Sequence, residues 1–273
     1  MNRNADSRWL VVTDLDGTLL DHHTYDFSAA REALHLLETK NIPVIVNTSK
    51  TYSEVEQLRT RLENRHPFIV ENGSGIFIPK NDFPEQPEHA DEWKDFWKIT
   101  LGISREQLID ELSQVPKGFL SMFRAFHTMN TQDIMALTKL SAAEAELANQ
   151  RYFSEPLQWL GTEEQKALFF CELRERKICF TEGGRFIHLT GKTHKGEAAQ
   201  RLKLYYADKY QTKVKILALG DSDNDIDMLK TADIAVAIRS TVKQPPIFKH
   251  PCKIISEGLG PKGWAEIINA VFS

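Results

Sequence analysis

Asp14 and Asp16 stand one residue apart in Asp14-Leu15-Asp16-Gly17-Thr18, directly after the apolar run Trp9-Leu10-Val11-Val12-Thr13. That run reads as a short buried strand. Both carboxylates therefore sit at a strand's C-terminal end, where open α/β sheets bind ligands. An aspartate there is an ionised nucleophile that needs no base to activate it. Its obstacle is charge, since an anionic phosphate repels it, and cations must stand close by. Mg²⁺ suits this role, since it takes oxygen ligands and commonly binds through one or two carboxylates plus substrate phosphate. Asp221, after Gly220 at the end of another strand, is a second protein carboxylate for such an ion. Asp225 follows four residues on and faces the same side at a helix start. Lys195 offers a fixed positive charge for phosphate oxygens. Thr48 and Ser49 close a further strand just before a helix, where hydroxyls and backbone N–H groups cradle phosphate. Asp16 takes another role. The leaving oxygen needs a proton and the later water must lose one, and a second carboxylate can do both in turn.

These residues need elements to hold them. From Trp9 to about Ile78, short apolar runs alternate with amphipathic helical stretches. Ser28 to Thr39 is a helix, Ile42 to Val46 a strand, Thr51 to Arg61 a helix and Phe68 to Val70 a strand. Thr51 with Glu54 is a capping-box signature for the second helix. Short connections of this kind mean parallel pairing and right-handed crossovers. The same rhythm returns late in the chain. Lys195 to Tyr206 is a helix, Val214 to Leu219 a strand, another helix starts near Asp225, and Ile234 to Ile238 is the next strand.

Between these halves the composition changes. Pro79, Pro84 and Pro87 mark a boundary. Trp93, Phe96 and Trp97 share one helical face beyond it, as core of the inserted part, and Thr131 to Gln150 is Ala- and Glu-rich. Ala167–Leu173 and Lys177–Thr181 are strand-like, and Gly183-Gly184 fits a two-residue hairpin turn. The fold class is α/β: a doubly wound, Rossmann-like parallel-sheet core over residues 1–82 and 190–273, with an inserted α+β domain at 83–189.

Composition narrows the function. The formal net charge of −4 over 273 residues leaves no broad footprint for nucleic acid or an acidic membrane. No stretch approaches the length of a membrane span. Cys171, Cys179 and Cys252 are odd in number and lack metal-ligand spacing, and the first two read as small core residues. A cytoplasmic enzyme is expected, as a monomer or weak dimer, with a small-molecule substrate and no nucleic-acid or membrane partner.

Four segments, in this order, carry a resemblance: DLDGT (Asp14–Thr18), the Thr-Ser of NTSKT (Asn47–Thr51), Lys195 in HKG, and GDSDND (Gly220–Asp225). The chain is similar to the haloacid dehalogenase-like phosphohydrolases. The resemblance implies that Asp14 is phosphorylated and that Asp16 is the general acid/base, lending its backbone carbonyl to the metal. It makes Asp14 and Asp221 metal ligands, with Asn224 and Asp225 supporting the Mg²⁺ and its waters. The insert becomes a cap that sets substrate choice. A narrower likeness, to mannosyl-3-phosphoglycerate phosphatases, rests on TSKT (Thr48–Thr51), IVENGSGIFIP (Ile69–Pro79), RYFSEP (Arg151–Pro156) and EGGRFIHLTGKTHKG (Glu182–Gly196). It implies a phosphorylated sugar substrate, mannosyl-3-phosphoglycerate or its glucosyl analogue. Another sugar-phosphate phosphatase, a phosphomutase and a non-catalytic module stay open.

Around the substrate the reading divides between structure and contact. Glu71-Asn72-Gly73 is either a tight turn or a ligand contact through Asn72. Arg185 can grip a glycerate carboxylate in bidentate fashion, and Arg151 is a weaker candidate of the same type. Gly184 is more a matter of hairpin geometry than of contact. His188 lies an odd number of residues from Arg185, so a regular strand puts the two on opposite faces. Gly191-Lys192-Thr193 is not a nucleotide P-loop, because the earlier glycine that motif needs is Phe186.

Overall fold

The computed structural model describes residues 7–183 and 186–273. The chain forms two compact units. One takes the chain up to Thr48, Asn64–Ile99 and His194–Ser273; the other takes Ser49–Glu63 and Thr100–Thr193. No helix among the described residues is long and apolar enough to cross a membrane.

The first unit is built on a nine-stranded sheet. Its strands are β1 (Ser7–Thr13), β2 (Val44–Asn47), β3 (Phe68–Val70), β4 (Gly75–Pro79), β5 (Asp91–Trp93) and β6 (Phe96–Thr100). The second half of this unit adds three strands, numbered after the four of the other unit: β11 (Lys213–Gly220), β12 (Ile234–Arg239) and β13 (Lys253–Leu259). The order is β13-β12-β11-β1-β2-β3-β4-β6-β5. Pairing is parallel from β13 through β3, and β4 then turns back against β3. Leu10 to Val12, Val44 to Val46, Leu217 to Leu219 and Ala235 to Ile238 are buried. Continuous apolar runs of this kind mark strands covered on both faces. The helices numbered in chain order as α1 (Arg31–Thr39), α7 (Lys195–Tyr210), α8 (Ile226–Thr231) and α9 (Gly260–Phe272) belong here. α1 packs with α9, and α7 with α8, as right-handed crossovers either side of a switch point require. That switch point is the β1–β11 pair. Thr13 stands opposite Leu219, and the Asp14 N–H donates to the Leu219 carbonyl at 2.9 Å. The two strand ends that carry aspartates are therefore side by side.

The second unit has an antiparallel sheet of β7 (Phe123–Ala125), β8 (Ser154–Trp159), β9 (Cys179–Gly183) and β10 (Phe186–Thr190), in the order β7-β8-β10-β9. Its helices are α2 (Tyr52–Leu62), α3 (Arg105–Ser113), α4 (Thr131–Thr138), α5 (Ala142–Asn149) and α6 (Glu163–Glu175). Leu108, Leu112, Leu157, Phe169, Leu173, Ile187 and Leu189 form its core. The Thr51–Glu54 capping box is present at the start of α2.

Several expectations are corrected. Trp93, Phe96 and Trp97 lie on a hairpin, not a helix: Trp93 pairs with Phe96 across the turn that contains Lys94 at φ 49°. Phe96 packs against Phe68 at 5.5 Å and Phe77 at 6.3 Å. β5 and β6 therefore extend the first sheet, and residues 83–99 cluster with the first unit, whereas the sequence placed them in the insert. Residues 49–63, expected in the core, cluster with the second unit. Ala167–Leu173, expected as a strand, lies inside α6, whose Thr162 makes a capping box with Gln165. The stretch 131–150 is two helices, broken where Lys139 takes φ 65° and Ser141 caps anew. Gly183 is a strand residue paired with Phe186, so it is not part of the link between β9 and β10. Gly184 and Arg185 lie outside the described residues. Cys171 is exposed on α6 and Cys179 only partly buried, so neither is a core filler.

Candidate active site

The site starts from the turn after β1. Leu15 accepts from the N–H groups of Thr18 and Leu20 at 3.0 and 2.8 Å, and Gly17 takes φ 82°. A Cβ on Gly17 would lie 2.5 Å from Asp221 Oδ2. Only glycine lets the β1 turn pass so close to the β11 aspartate. Behind Asp14, the Thr13 hydroxyl donates to the Asp14 carbonyl at 2.8 Å and accepts from Trp264 Nε1 at 3.0 Å. Trp264 is fully buried on α9. This chain of bonds ties the peptide of Asp14 to the last helix.

Lys195 is the first residue of α7 and is fully buried. Its carbonyl accepts from Asn47 Nδ2 at 2.9 Å, which joins it to the end of β2. Gly73, at φ 96°, backs onto the same helix start: a Cβ there would meet the His194 carbonyl oxygen at 2.4 Å. So held, Lys195 Nζ reaches Asp14 Oδ1 and Asp225 Oδ1, each at 2.6 Å. Asp225 Oδ2 accepts from the Asp221 N–H at 3.1 Å, the Ser222 N–H at 3.0 Å and the Ser222 hydroxyl at 3.1 Å. Both oxygens of Asp225 are thus engaged by protein donors.

Asp14, Asp221 and Asp225 each bring a carboxylate oxygen within 4.8 Å of the others, and all three are buried. Burial pushes the Asp14 carboxyl up to about 7; Lys195 pulls it down, and Asp225 and Asp221 push it further up. Asp221 is also raised, first by burial, with Lys243 opposing. Burial works against the Lys195 ammonium, but Asp14 and Asp225 more than offset it and hold its pKa above the ordinary lysine value. Asp221 is fully buried, yet neither carboxylate oxygen accepts a well-aligned hydrogen bond. Three buried carboxylates around one buried ammonium leave the cluster short of positive charge. An oxygen-seeking divalent cation fits this set of donors.

The remaining expected residues fall in two groups. Thr48 is buried at the end of β2, donates its N–H to the Ile69 carbonyl at 3.1 Å and accepts from the Asn72 N–H at 2.9 Å. Asn72, at φ 57°, accepts from Asn224 Nδ2 at 3.2 Å. It lies in the turn after β3, and its side chain braces the Gly220–Asp225 loop. Asp16 is half-buried in the β1 turn and bridges to Leu20. The other group lies in the second unit. Arg151 Nη1 donates to Ser154 Oγ at 2.9 Å, and stands 3.5 Å from the Ser49 carbonyl oxygen. His188 faces Pro156 across β8. Burial and the Arg151 charge pull its pKa down to about 3, so it is a neutral imidazole.

Sequence reading missed Asn47, Thr13, Trp264 and Lys243. Asn47 had a signal, since a polar side chain ending a Val-Ile-Val strand has to find partners inside the protein. The Trp264–Thr13 bond joins residues 251 apart, and no local pattern announces it.

Residues 11–245 match the haloacid dehalogenase-like hydrolase family, and the chain belongs to it. Among solved structures, a Thermotoga maritima protein shares the fold at TM-score 0.66 and 15% identity, with 98% of each chain covered. A haloalkanoate-superfamily protein of Bacteroides thetaiotaomicron does so at TM-score 0.62 and 19% identity, covering 87% of this chain and 86% of its own. In sequence, the glucosyl-3-phosphoglycerate/mannosyl-3-phosphoglycerate phosphatase of Methanococcoides burtonii is 36% identical over 265 residues, 95% of each chain. The protein of the same name from Persephonella marina is 36% identical over 261 residues, again 95% of each.

Proposed function

We propose that this protein is a Mg²⁺-assisted phosphomonoesterase that hydrolyses a glycosyl-3-phosphoglycerate, mannosyl or glucosyl, through an aspartyl-phosphate at Asp14. The observation that carries the chemistry is the buried arrangement of Lys195 at 2.6 Å from both Asp14 and Asp225, beside Asp221. The substrate class rests on the two relatives at 36% identity over 95% of each chain.

Lys195 holds Asp14 Oδ1, which leaves Oδ2 to attack phosphorus. The bond from phosphorus to the leaving glyceryl oxygen breaks as the new one forms, and Asp16 protonates that oxygen. Asp16 then takes a proton from water, which attacks the phosphorus and releases Asp14. Lys195 offsets negative charge on the phosphoryl oxygens during both steps, and Thr48 borders the site. Asp14 and Asp221 would hold the Mg²⁺, with the Asp16 carbonyl and Asn224 in support. The ion supplies charge neutralisation between carboxylate and phosphate. Asp225, with both oxygens engaged, positions Lys195 and the loop. On the second unit, which serves as the cap, Arg151, Ser49 and His188 form the polar side; Gly184 and Arg185 complete the substrate assignment. The enzyme works in the cytoplasm.

A phosphate-release panel tests this reading. Glycosyl-3-phosphoglycerates should release phosphate in Mg²⁺ faster than hexose, sucrose or trehalose phosphates, and a chelator should stop it. No Mg²⁺-dependent release from any phosphate ester would overturn the reading. Asp16→Asn should slow a sugar phosphate by about 10²–10⁴-fold, and an activated aryl phosphate much less, because an aryl leaving group needs no proton. Equal losses on the two would remove Asp16 from the acid role.

A further inference from the structure

Lys243 lies outside the four motifs, on the irregular segment between β12 and β13. Its Nζ stands 3.3 Å from Asp221 Oδ2, with the lysine side chain 40% exposed and that of Asp221 fully buried. We propose that Lys243 is a built-in rival for the divalent cation at Asp221, and that this loop lysine sets how tightly the protein holds its ion. The inference rests on the metal-assisted reading above.

The contrast with Lys195 carries the argument. Lys195 is fully buried, starts a helix and makes two short bonds, so it is a permanent member of the cluster. Lys243 reaches in from solvent through one longer contact. Residues 241–244 are exposed, and the firm anchors of the segment come later. Phe248 is buried, and Lys253 Nζ donates to the carbonyls of Pro246 and Phe248 at 3.3 and 3.5 Å. A flexible lysine held by one contact can swing back into water, where its ammonium is strongly hydrated.

Asp221 makes the rivalry specific. It accepts no well-aligned hydrogen bond on either oxygen, and the backbone of Gly17 passes so close that a Cβ there would lie 2.5 Å from Oδ2. Lys243 thus meets this carboxylate at close range, 3.3 Å from Oδ2. A divalent ion drawn to the same carboxylate is repelled by an ammonium a few ångströms away, and in a buried site that repulsion is little screened. The ion must therefore displace the lysine or bind against its charge. Either way the lysine weakens binding, while it balances part of the cluster's negative charge when no ion is there.

Calorimetric titration of the full-length protein with Mg²⁺, without substrate, tests this. Lys243→Gln should bind Mg²⁺ about tenfold more tightly than the parent. Its melting temperature without metal should be lower, and its rise in saturating Mg²⁺ larger. Lys243→Arg keeps the charge and should bind as the parent does. Equal or weaker binding by Lys243→Gln overturns the proposal, as does equal tightening by both variants. Binding that ignores residue 243 leaves the phosphatase reading intact. No Mg²⁺ binding by any of the three proteins removes the metal reading together with this inference.

Discussion

Asp14→Asn should abolish turnover, by about 10³-fold or more, and leave the fold in place. An amide of the same shape cannot form an acyl phosphate. The same substitution should act on stability in the opposite direction. Asp14 titrates near 3.8 in the unfolded chain, and burial pushes it up to about 7 in the folded one. Between those values the folded state binds more protons, so the stability of the metal-free protein falls as pH rises. Below about pH 4 the group is protonated in both states and no penalty exists; above about pH 7 the penalty is complete. Asparagine mimics the protonated form at every pH. Metal-free Asp14→Asn should therefore be more stable than the parent at pH 8 and indistinguishable from it near pH 4, as read by urea denaturation. A variant less stable than the parent at pH 8 would show that the Lys195 contact outweighs burial and the two neighbouring carboxylates.

Lys195→Met should be damaging in both respects. The side chain keeps its length but leaves Asp14 and Asp225 buried without their shared ammonium. Removing one partner of a buried ion pair costs about 3–5 kcal/mol. Loss of a charge aimed at the phosphoryl group costs about 10²–10³-fold in kcat. A second substitution separates these effects. Adding Asp225→Asn should return part of the lost stability, because one stranded carboxylate is removed, but none of the activity. Denaturation of both single variants and the double one gives the coupling energy directly. Additive losses in stability would mean that the 2.6 Å contact between Lys195 and Asp225 contributes little to the fold. A Lys195→Met enzyme with unchanged kcat would remove Lys195 from the reaction.

Much of this was written in local patterns. An apolar run ending in Asp14-Leu15-Asp16, another ending in Gly220-Asp221, and Lys195 at a helix start each carry strand-end or helix-start chemistry in a few adjacent residues. The doubly wound order follows from the alternation of such runs, because parallel strands with short links have few ways to connect. The capping box at Thr51 and Glu54 is likewise a four-residue statement. These features were legible because the forces that make them act over one or two turns of chain.

What depended on packing was not. Trp93, Phe96 and Trp97 stand at helical spacing, and only packing against Phe68 and Phe77 sets Phe96 in a hairpin at the sheet's edge instead. Ala167–Leu173 is apolar enough for a strand, yet it completes α6 because Phe169 and Leu173 have a core to fill. The Trp264–Thr13–Asp14 bonds and the approach of Lys243 to Asp221 join parts of the chain that meet only when the sheet closes around its switch point. Short-range order is encoded by neighbours along the chain, while burial, charge balance and close approach belong to neighbours in space. The types of the clustered groups could be read in one dimension; how each is held, and at what electrostatic cost, was decided in three.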